Sequence, residues 1–399
     1  MKYEISNVNI ELDIKKSTSI IIGADFVPTL SNKGLFVNSD IEELLGDELA
    51  AVFLNSDLNV LNLEVPITTC EKKLKKAGGP NLKTYPESLG ILEKIKPLVL
   101  SGANNHIYDY MQIGIDDTLH YLDAKEILHV GFGSNIEEAR KPQIIKINGI
   151  KIGIYSCSEN EFCCANEKHG GGNGYDPLLT FDEIKKLKRL CSYIIVLFHG
   201  GRENYRYPSI QLKRVCEKMV DSGANIVVCQ HSHCIGAYEN YKNACIIYGQ
   251  GNVLFDYNDI EEWSKSILIQ LDFTTTAIRT YVIPLEKNKE KVRICIDDAE
   301  RVILDFKDRS EKIKSQDFLK EEFHRFNIRQ KNIILYSGVM GRNNKVLLAI
   351  NKILGGRLVE RAFNEKHKLL LLNYIRCESI HESLMDLLNT EEVEEEYNE

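Results

Sequence analysis

The sequence predicts an α/β fold in which buried strands alternate with helices. Two observations carry this prediction. Short β-branched runs end repeatedly in Gly, Asn or His, and the segments between them place apolar residues three and four positions apart. The apolar runs do not alternate with polar residues, which is typical of strands that are buried on both faces of a sheet.

Seven such runs follow one another along the chain. In order they are SIIIGAD (19–25), NVLNLEV (59–65), PLVLSGANNH (97–106), IKIGIYSCS (150–158), YIIVLFHGG (193–201), NIVVCQHSH (225–233) and ACIIYGQGN (244–252). Helical spacing occupies residues 113–127 and 209–223 between them, and the second pattern stops at Gly223.

The chain of 399 residues is longer than one hydrophobic core usually supports. We therefore expect a main domain over residues 1–295, an α-rich region over 296–389, and an acidic, disordered tail over 390–399. Within the α-rich region, helical patterns cover residues 311–326, 344–356 and 365–389.

Composition narrows the class of protein. A formal net charge of -8 argues against general nucleic-acid binding, which usually needs a basic face. Eleven cysteines without a CxxC spacing suit reduced thiols, and no run approaches the ~18 apolar residues of a membrane span. With no signal-peptide pattern at its N-terminus, the chain is expected to be cytoplasmic.

Polar residues of ligand type stand at the predicted strand ends. They are Asp25, Glu64, Asn105, His106, His199, His231, His233 and Asn252. In α/β sheets functional residues collect at the carboxyl ends of strands, so this repeated placement predicts one shared site.

Each of these residues alone has an ordinary interpretation. His231 and His233 could be two histidines of a surface loop, His199 a structural hydrogen-bonding residue, and Asp25 or Glu64 a helix cap or loop acid. Together they form a mixed oxygen and nitrogen ligand set that suits two divalent cations of the Mn, Fe, Zn or Ni type, with one carboxylate bridging them.

Residues beside these ligands predict substrate contacts. If Asn105 binds a cation, its neighbour His106 is free to protonate a leaving group. Lys83, Arg202 and Glu203 are candidates for contact with an anionic substrate, although a solvated loop explains Lys83 equally well.

The motifs and their order resemble the CapA family of capsule and poly-γ-glutamate biosynthesis proteins, which is related to the calcineurin-like metallophosphoesterases. The segments that carry the resemblance lie within residues 18–260 and read GADFVPT, NLEVPIT, ANNHIYDYMQIG, HGGREN, CQHSHC and GNVLFDY. The resemblance implies a four-layer α/β/β/α sandwich as the fold.

The resemblance also implies roles for single residues. The implied metal ligands are Asp25, Glu64, Asn105, His199, His231 and His233, with His106 as proton donor and Asp109 as its orienting residue. Asn104 and Asn252 are further candidates for substrate binding. Metallophosphoesterases open with DxH, whereas Phe26 and Val27 follow Asp25 here. We therefore expect one firm metal site with Glu64, Asn105, His199 and His231, and one weak site with Asp25, Glu64 and His233.

Two functions follow as hypotheses. The first is a metal-dependent hydrolase that attacks a phosphoester or related anionic substrate with metal-activated water. The second is an accessory protein of capsule or poly-γ-glutamate synthesis that binds a polyanion without turnover. The expected partner in both cases is an anionic small molecule or polymer.

Overall fold

The computed structural model describes residues 1–14, 16–29, 31–76, 79–255, 260–288, 290–331 and 365–396. The strands are β1 (Tyr3–Asn9), β2 (Thr18–Phe26), β3 (Leu58–Leu63), β4 (Leu98–Ser101), β5 (Leu128–Val130), β6 (Phe132–Gly133), β7 (Gln143–Ile147), β8 (Ile150–Ser158), β9 (Gly171–Gly172), β10 (Tyr193–His199), β11 (Ile226–Gln230), β12 (Tyr238–Tyr241), β13 (Ala244–Ile247), β14 (Lys265–Phe273), β15 (Ala277–Asn288) and β16 (Lys291–Ile294). Each predicted strand coincides with one of them.

The helices fill the connections and the C-terminal region. They are α1 (Lys33–Val37), α2 (Ile41–Leu45), α3 (Asp47–Leu54), α4 (Leu89–Lys94), α5 (Met111–Ala124), α6 (Ile136–Ala139), α7 (Thr180–Leu190), α8 (Ile210–Asp221), α9 (Ala299–Lys312), α10 (Gln316–Lys331), α11 (Glu365–Arg376) and α12 (Glu378–Glu396). None of the described helices is both long enough and apolar enough to span a bilayer.

Two sheets dominate the architecture. An eight-stranded sheet has the order β1-β15-β14-β2-β3-β4-β5, with β16 added beside β15, and a six-stranded sheet has the order β12-β13-β11-β10-β8-β7. Strands β2 to β5 run parallel in the first sheet, and β8, β10, β11 and β13 run parallel in the second. Polar residues at the ends of both parallel sets can therefore meet at one edge.

Alternate residues of the strands face different layers. Ile20 and Ile22 of β2 share a buried cluster with Ile195 and Leu197 of β10, so the two sheets pack face to face. Ile21 packs instead with the helices on the outer face of the first sheet. The outer face of the second sheet packs on α7 and α8. The order of layers is helix, sheet, sheet, helix, which confirms the predicted α/β sandwich.

The C-terminal region is helical where it is described, but its boundaries differ from the prediction. The pattern at 311–326 is divided between α9 and α10, and the pattern at 365–389 is divided between α11 and α12. Helix α12 extends over Glu378–Glu396, and the disorder expected over 390–399 stays a prediction. The helix predicted over 344–356 lies outside the described residues, and the domain boundaries stay predictions.

Candidate metal centre and cleft

The carboxyl ends of the parallel strands in both sheets bring the predicted ligand residues into one buried cluster. Asp25 lies near the end of β2, Glu64 directly follows β3, and His199 is the last residue of β10. His231 and His233 follow β11. Each of these five residues is less than 6 % exposed, so their polar atoms face one another rather than water.

One group of ligand atoms comes from Glu64, His199 and His231, and all of its atoms lie within 4.8 Å of one another. His199 Nε2 is 3.3 Å from Glu64 Oε1 and 3.1 Å from His231 Nδ1. The side-chain oxygen of Asn105 is 3.0 Å from the same His199 Nε2. These four residues are the ones predicted for the firm site.

A second group comes from Asp25, Glu64 and His233, so that Glu64 belongs to both. His233 Nδ1 lies 3.1 Å from Asp25 Oδ2 and 2.9 Å from Asn252 Oδ1. Asn252 therefore orients the imidazole of His233, and the substrate contact proposed for Asn252 stays a prediction. These three residues match the set predicted for the weak site.

The Glu64 carboxylate tests whether this cluster suits a cation. Both of its oxygens are buried, and neither has a hydrogen-bond partner in the described part of the chain. Burial, followed by the nearby Asp25 carboxylate, raises the pKa of Glu64 well above its usual value. An unpartnered buried carboxylate is costly, and a divalent cation is the partner that would relieve that cost. The residues present therefore fit a metal.

The imidazoles of His199 and His231 are in the protonation state that metals require. Burial lowers the pKa of His199 and of His231 to about 3, so both rings are neutral at neutral pH. Burial alone raises the pKa of Asp25, but its hydrogen bond to His233 and the charge of His233 hold it at about 2. Burial lowers the pKa of His233, but the Asp25 carboxylate outweighs that effect and raises it above its usual value, so His233 would release its proton when it binds a cation. Neutral imidazole and ionised carboxylate are both ligand forms.

His231 and His233 point to the same cluster because strand β11 ends before the chain reaches them. Strand β11 ends at Gln230, and His231 and His233 then adopt positive φ angles of 92° and 55°. Such backbone conformations cost ~1–3 kcal/mol each in a non-glycine residue and are concentrated at functional sites. A strained turn, rather than a continuing strand, aims both rings at the cluster.

Two buried asparagines, Asn62 and Asn104, support the cluster through hydrogen bonds. Asn62 Nδ2 donates to Asp25 Oδ1 at 2.7 Å and lies 3.3 Å from His199 Nδ1. Asn104 Nδ2 donates to Asn62 Oδ1 at 3.1 Å, and its own oxygen accepts the backbone N–H of His106. Asn104 thus shapes the loop, and the substrate contact proposed for it stays a prediction. Sequence reasoning missed Asn62, although an amide inside the apolar run NVLNLEV was a signal.

His106 belongs to a buried hydrogen-bonded chain of charged residues. Its Nδ1 is 2.6 Å from Asp109 Oδ2, and Lys76 Nζ donates to Asp109 Oδ1 at 2.7 Å. The Lys76 side chain is only 4 % exposed. Because Asp109 occupies Nδ1, the hydrogen-bond pattern leaves Nε2 of His106 for the cleft. Asp109 therefore has the orienting position predicted for it.

A cleft of about 550 Å³ opens over the cluster. Asn105, His106, His231 and His233 form its floor, and Arg202 and Glu203 line it as predicted. Lys76 and Glu161, which sequence reasoning missed, also line it. Glu203 makes a third possible ligand group with His231 and His233.

The structure does not bring Lys83 to this cleft. Its ammonium donates to the carbonyl oxygen of Cys70 at 2.7 Å and to Glu71 at 2.6 Å. Those contacts hold the Lys83 side chain against its own loop. The sequence had left a loop role open as the alternative to a substrate contact.

Trp263 offers a direct readout of metal binding, because it is the sole tryptophan and its ring centroid lies 4.5 Å from that of His233. We expect titration with Co²⁺ or Ni²⁺ to quench its fluorescence, since a paramagnetic ion held by His233 would sit within a few ångströms. The His233→Ala variant should lose this quenching. The variant of the exposed His120, His120→Ala, should retain it, and equal quenching in both variants would contradict the predicted site.

Comparisons with known proteins agree with these observations. The sequence profile described as "Bacterial capsule synthesis protein PGA_cap" matches residues 19–257. The PGA biosynthesis protein CapA of Bacillus subtilis is 29% identical over 262 residues, covering 63% of this chain and 67% of that protein. The capsule biosynthesis protein CapA of Bacillus anthracis is 27% identical over 220 residues, covering 53% of each protein.

Among solved structures, a phosphatase from Mycoplasma pneumoniae matches 67% of this chain and 93% of its own, with 12% identity and a TM-score of 0.44. That similarity is too low to carry an argument about function. The profile match spans more than half of the chain and contains every candidate ligand residue described above. The chain therefore belongs to the bacterial capsule synthesis protein family PGA_cap.

Proposed function

We propose that this protein is a metal-dependent hydrolase of a phosphoester or a related anionic substrate in capsule or poly-γ-glutamate metabolism. The observation that carries the proposal is Glu64, a buried carboxylate without a hydrogen-bond partner in the described residues, which belongs to two ligand groups at once. A shared carboxylate between two ligand groups is the arrangement of two-metal hydrolases.

Glu64, Asn105, His199 and His231 would hold one cation firmly. Asp25, Glu64 and His233 would hold a second cation more weakly, because Phe26 and Val27 after Asp25 pack into the core and supply no ligand. Bound divalent cations would supply an activated water and would neutralise charge on a phosphoryl oxygen.

The remaining steps belong to residues of the cleft. His106 lines the cleft beside Asn105 and, oriented by Asp109, would give its proton to the leaving oxygen. Lys76 and Arg202 would attract the anionic substrate into the cleft. Lys76 also holds the far oxygen of Asp109, so the imidazole has a fixed direction.

A second candidate is an accessory protein that binds a polyanion without turnover. Two relatives from Mycobacterium tuberculosis, each 26% identical over 247 residues, are described as probable polyglutamine synthesis accessory proteins. The three-ligand second site supports this alternative, because two-metal hydrolysis needs both cations, whereas one cation in the firm site is enough to bind an anion.

The test is hydrolysis of a phosphoester panel by chelated protein, with and without added Mn²⁺. We expect activity that appears with Mn²⁺ and falls by at least ~10²-fold in His231→Ala, since that change removes a ligand of the firm site. The exposed His120→Ala serves as the control. Activity indifferent to chelator and to His231→Ala would rule the hydrolase out. Salt-sensitive binding of poly-γ-glutamate without product would support the accessory role.

A further inference from the structure

The C-terminal helices, which lie outside the family-matched region 19–257, form one wall of the cleft. Helix α11 contributes Asn373 and Tyr374, and helix α12 contributes Ser379 and Ile380. These two helices thus add lining residues to the cleft, in addition to the candidate metal ligands.

Specific polar contacts fix these helices to the main domain. The Glu378 carboxylate accepts hydrogen bonds from Asn160, at 3.1 Å from its backbone nitrogen and 2.6 Å from its side-chain nitrogen. The Glu382 carboxylate accepts from the hydroxyl of Ser209 at 2.6 Å. Both contacts join α12 to segments that follow the carboxyl ends of strands β8 and β10.

A second cavity of about 550 Å³ adjoins the cleft beneath α11, and Glu161, Phe162 and Asn373 line both. Among the described residues that line it, Lys75 and Arg376 are basic and Glu161 is acidic, and His169 lies beside them. Arg376 forms no ion pair with any residue in the described part of the chain. Lys75 pairs with Glu365, but both side chains are largely exposed, and such pairs contribute little.

Asn373 lines both cavities, and its side-chain oxygen is a hydrogen-bond acceptor without a donor in the described residues. Its side-chain oxygen is buried and has no hydrogen-bond partner within the described residues. A buried amide oxygen without a donor is costly, so a ligand that crosses from one cavity to the other would gain by donating to it. This favours a ligand with an N–H or O–H group between its anionic ends.

We propose that the second cavity is a subsite of the same cleft, in which Arg376 and Asn373 bind a second anionic group of an elongated ligand whose first anionic group lies at the metal centre. The proposal rests on the proposed function only for the position of that first group. In this proposal α11 makes the cleft selective for elongated polyanions over single anions. Its residues bind the ligand and take no part in catalysis.

The experiment is a fluorescence titration of Trp263, which lines the cleft, in the Mn²⁺-loaded full chain. The probes are inorganic phosphate, inorganic triphosphate and γ-linked triglutamate, and of these only triglutamate offers N–H donors. Arg376→Ala is compared with Lys366→Ala, which removes the same charge from an exposed position of the same helix outside both cavities.

We expect Arg376→Ala to weaken triglutamate binding about fivefold and to leave phosphate binding within about twofold, as for loss of one partly exposed ion pair. Lys366→Ala should change neither. The subsite would be overturned if both variants lost the same affinity for triglutamate, or if Arg376→Ala lost as much affinity for phosphate as for triglutamate. It would also be overturned if the wild-type protein bound triphosphate and triglutamate no more tightly than phosphate. Triphosphate preferred over triglutamate would overturn the role of Asn373. Because binding is read without turnover, failure to hydrolyse any ester would count against the proposed function alone.

Discussion

The Glu64→Gln variant is expected to abolish metal-dependent activity while making the metal-free protein more stable. The carboxylate belongs to both ligand groups, so replacing it with an amide removes a negative ligand from each. We expect Mn²⁺ affinity and hydrolysis to fall by at least ~10²-fold.

The stabilisation has a separate cause. Glu64 is fully buried, neither of its oxygens has a hydrogen-bond partner in the described chain, and the Asp25 carboxylate lies close by. A glutamine of the same shape carries no charge and can donate a hydrogen bond toward Asp25. Because burial raises the pKa of Glu64, the folded protein at neutral pH must either keep this charge buried or take up a proton there. Removal of that cost is worth ~1–3 kcal/mol, which should raise the melting temperature of chelated protein.

Calorimetric metal titration and thermal unfolding in chelator measure the two effects. Glu11→Gln is the control, because Glu11 is exposed and the same change there should alter neither quantity. A chelated Glu64→Gln protein less stable than the parent would mean that the carboxylate has a favourable partner without metal. Retained Mn²⁺ affinity would remove Glu64 from the ligand set.

The core strands of the fold were predictable because they are buried on both faces. Strands β3, β10 and β11 are buried along their whole length, and their unbroken apolar runs carried that information. Strands β14 and β15 were not recognised, although they complete the larger sheet. They pair antiparallel and have partly exposed residues, so their sequences lack the unbroken apolar pattern.

The clustering of most candidate ligand residues was predictable for a related reason, because polar groups at the carboxyl ends of the buried strands of two packed sheets lie close together. Lys76 was not predictable in this way. It lies in the run KKLKK among other lysines, and its burial against Asp109 depends on how a loop folds over the site. The wall formed by α11 and α12 depends likewise on contacts more than 160 residues apart, such as that between Glu382 and Ser209.

The His106→Ala variant is expected to lose activity according to the leaving group of the substrate. His106 is absent from the three candidate ligand groups, and its Nδ1 is held by Asp109. If Nε2 protonates the leaving oxygen, an alkyl phosphate, whose alkoxide is a poor leaving group, should be hydrolysed ~10²–10⁴-fold more slowly by the variant. Hydrolysis of 4-nitrophenyl phosphate should fall less than about tenfold, because nitrophenolate departs without a proton.

Burial, opposed by Asp109, lowers the pKa of His106, so the orienting carboxylate should matter as well. Asp109→Asn is expected to show the same leaving-group dependence with a smaller loss, because the imidazole remains but loses its anionic partner. Quenching of Trp263 by Co²⁺ should be unchanged in both variants, which separates loss of proton transfer from loss of metal. Equal losses on the two esters would instead assign His106 to substrate binding, because a group that only binds substrate does not distinguish leaving groups.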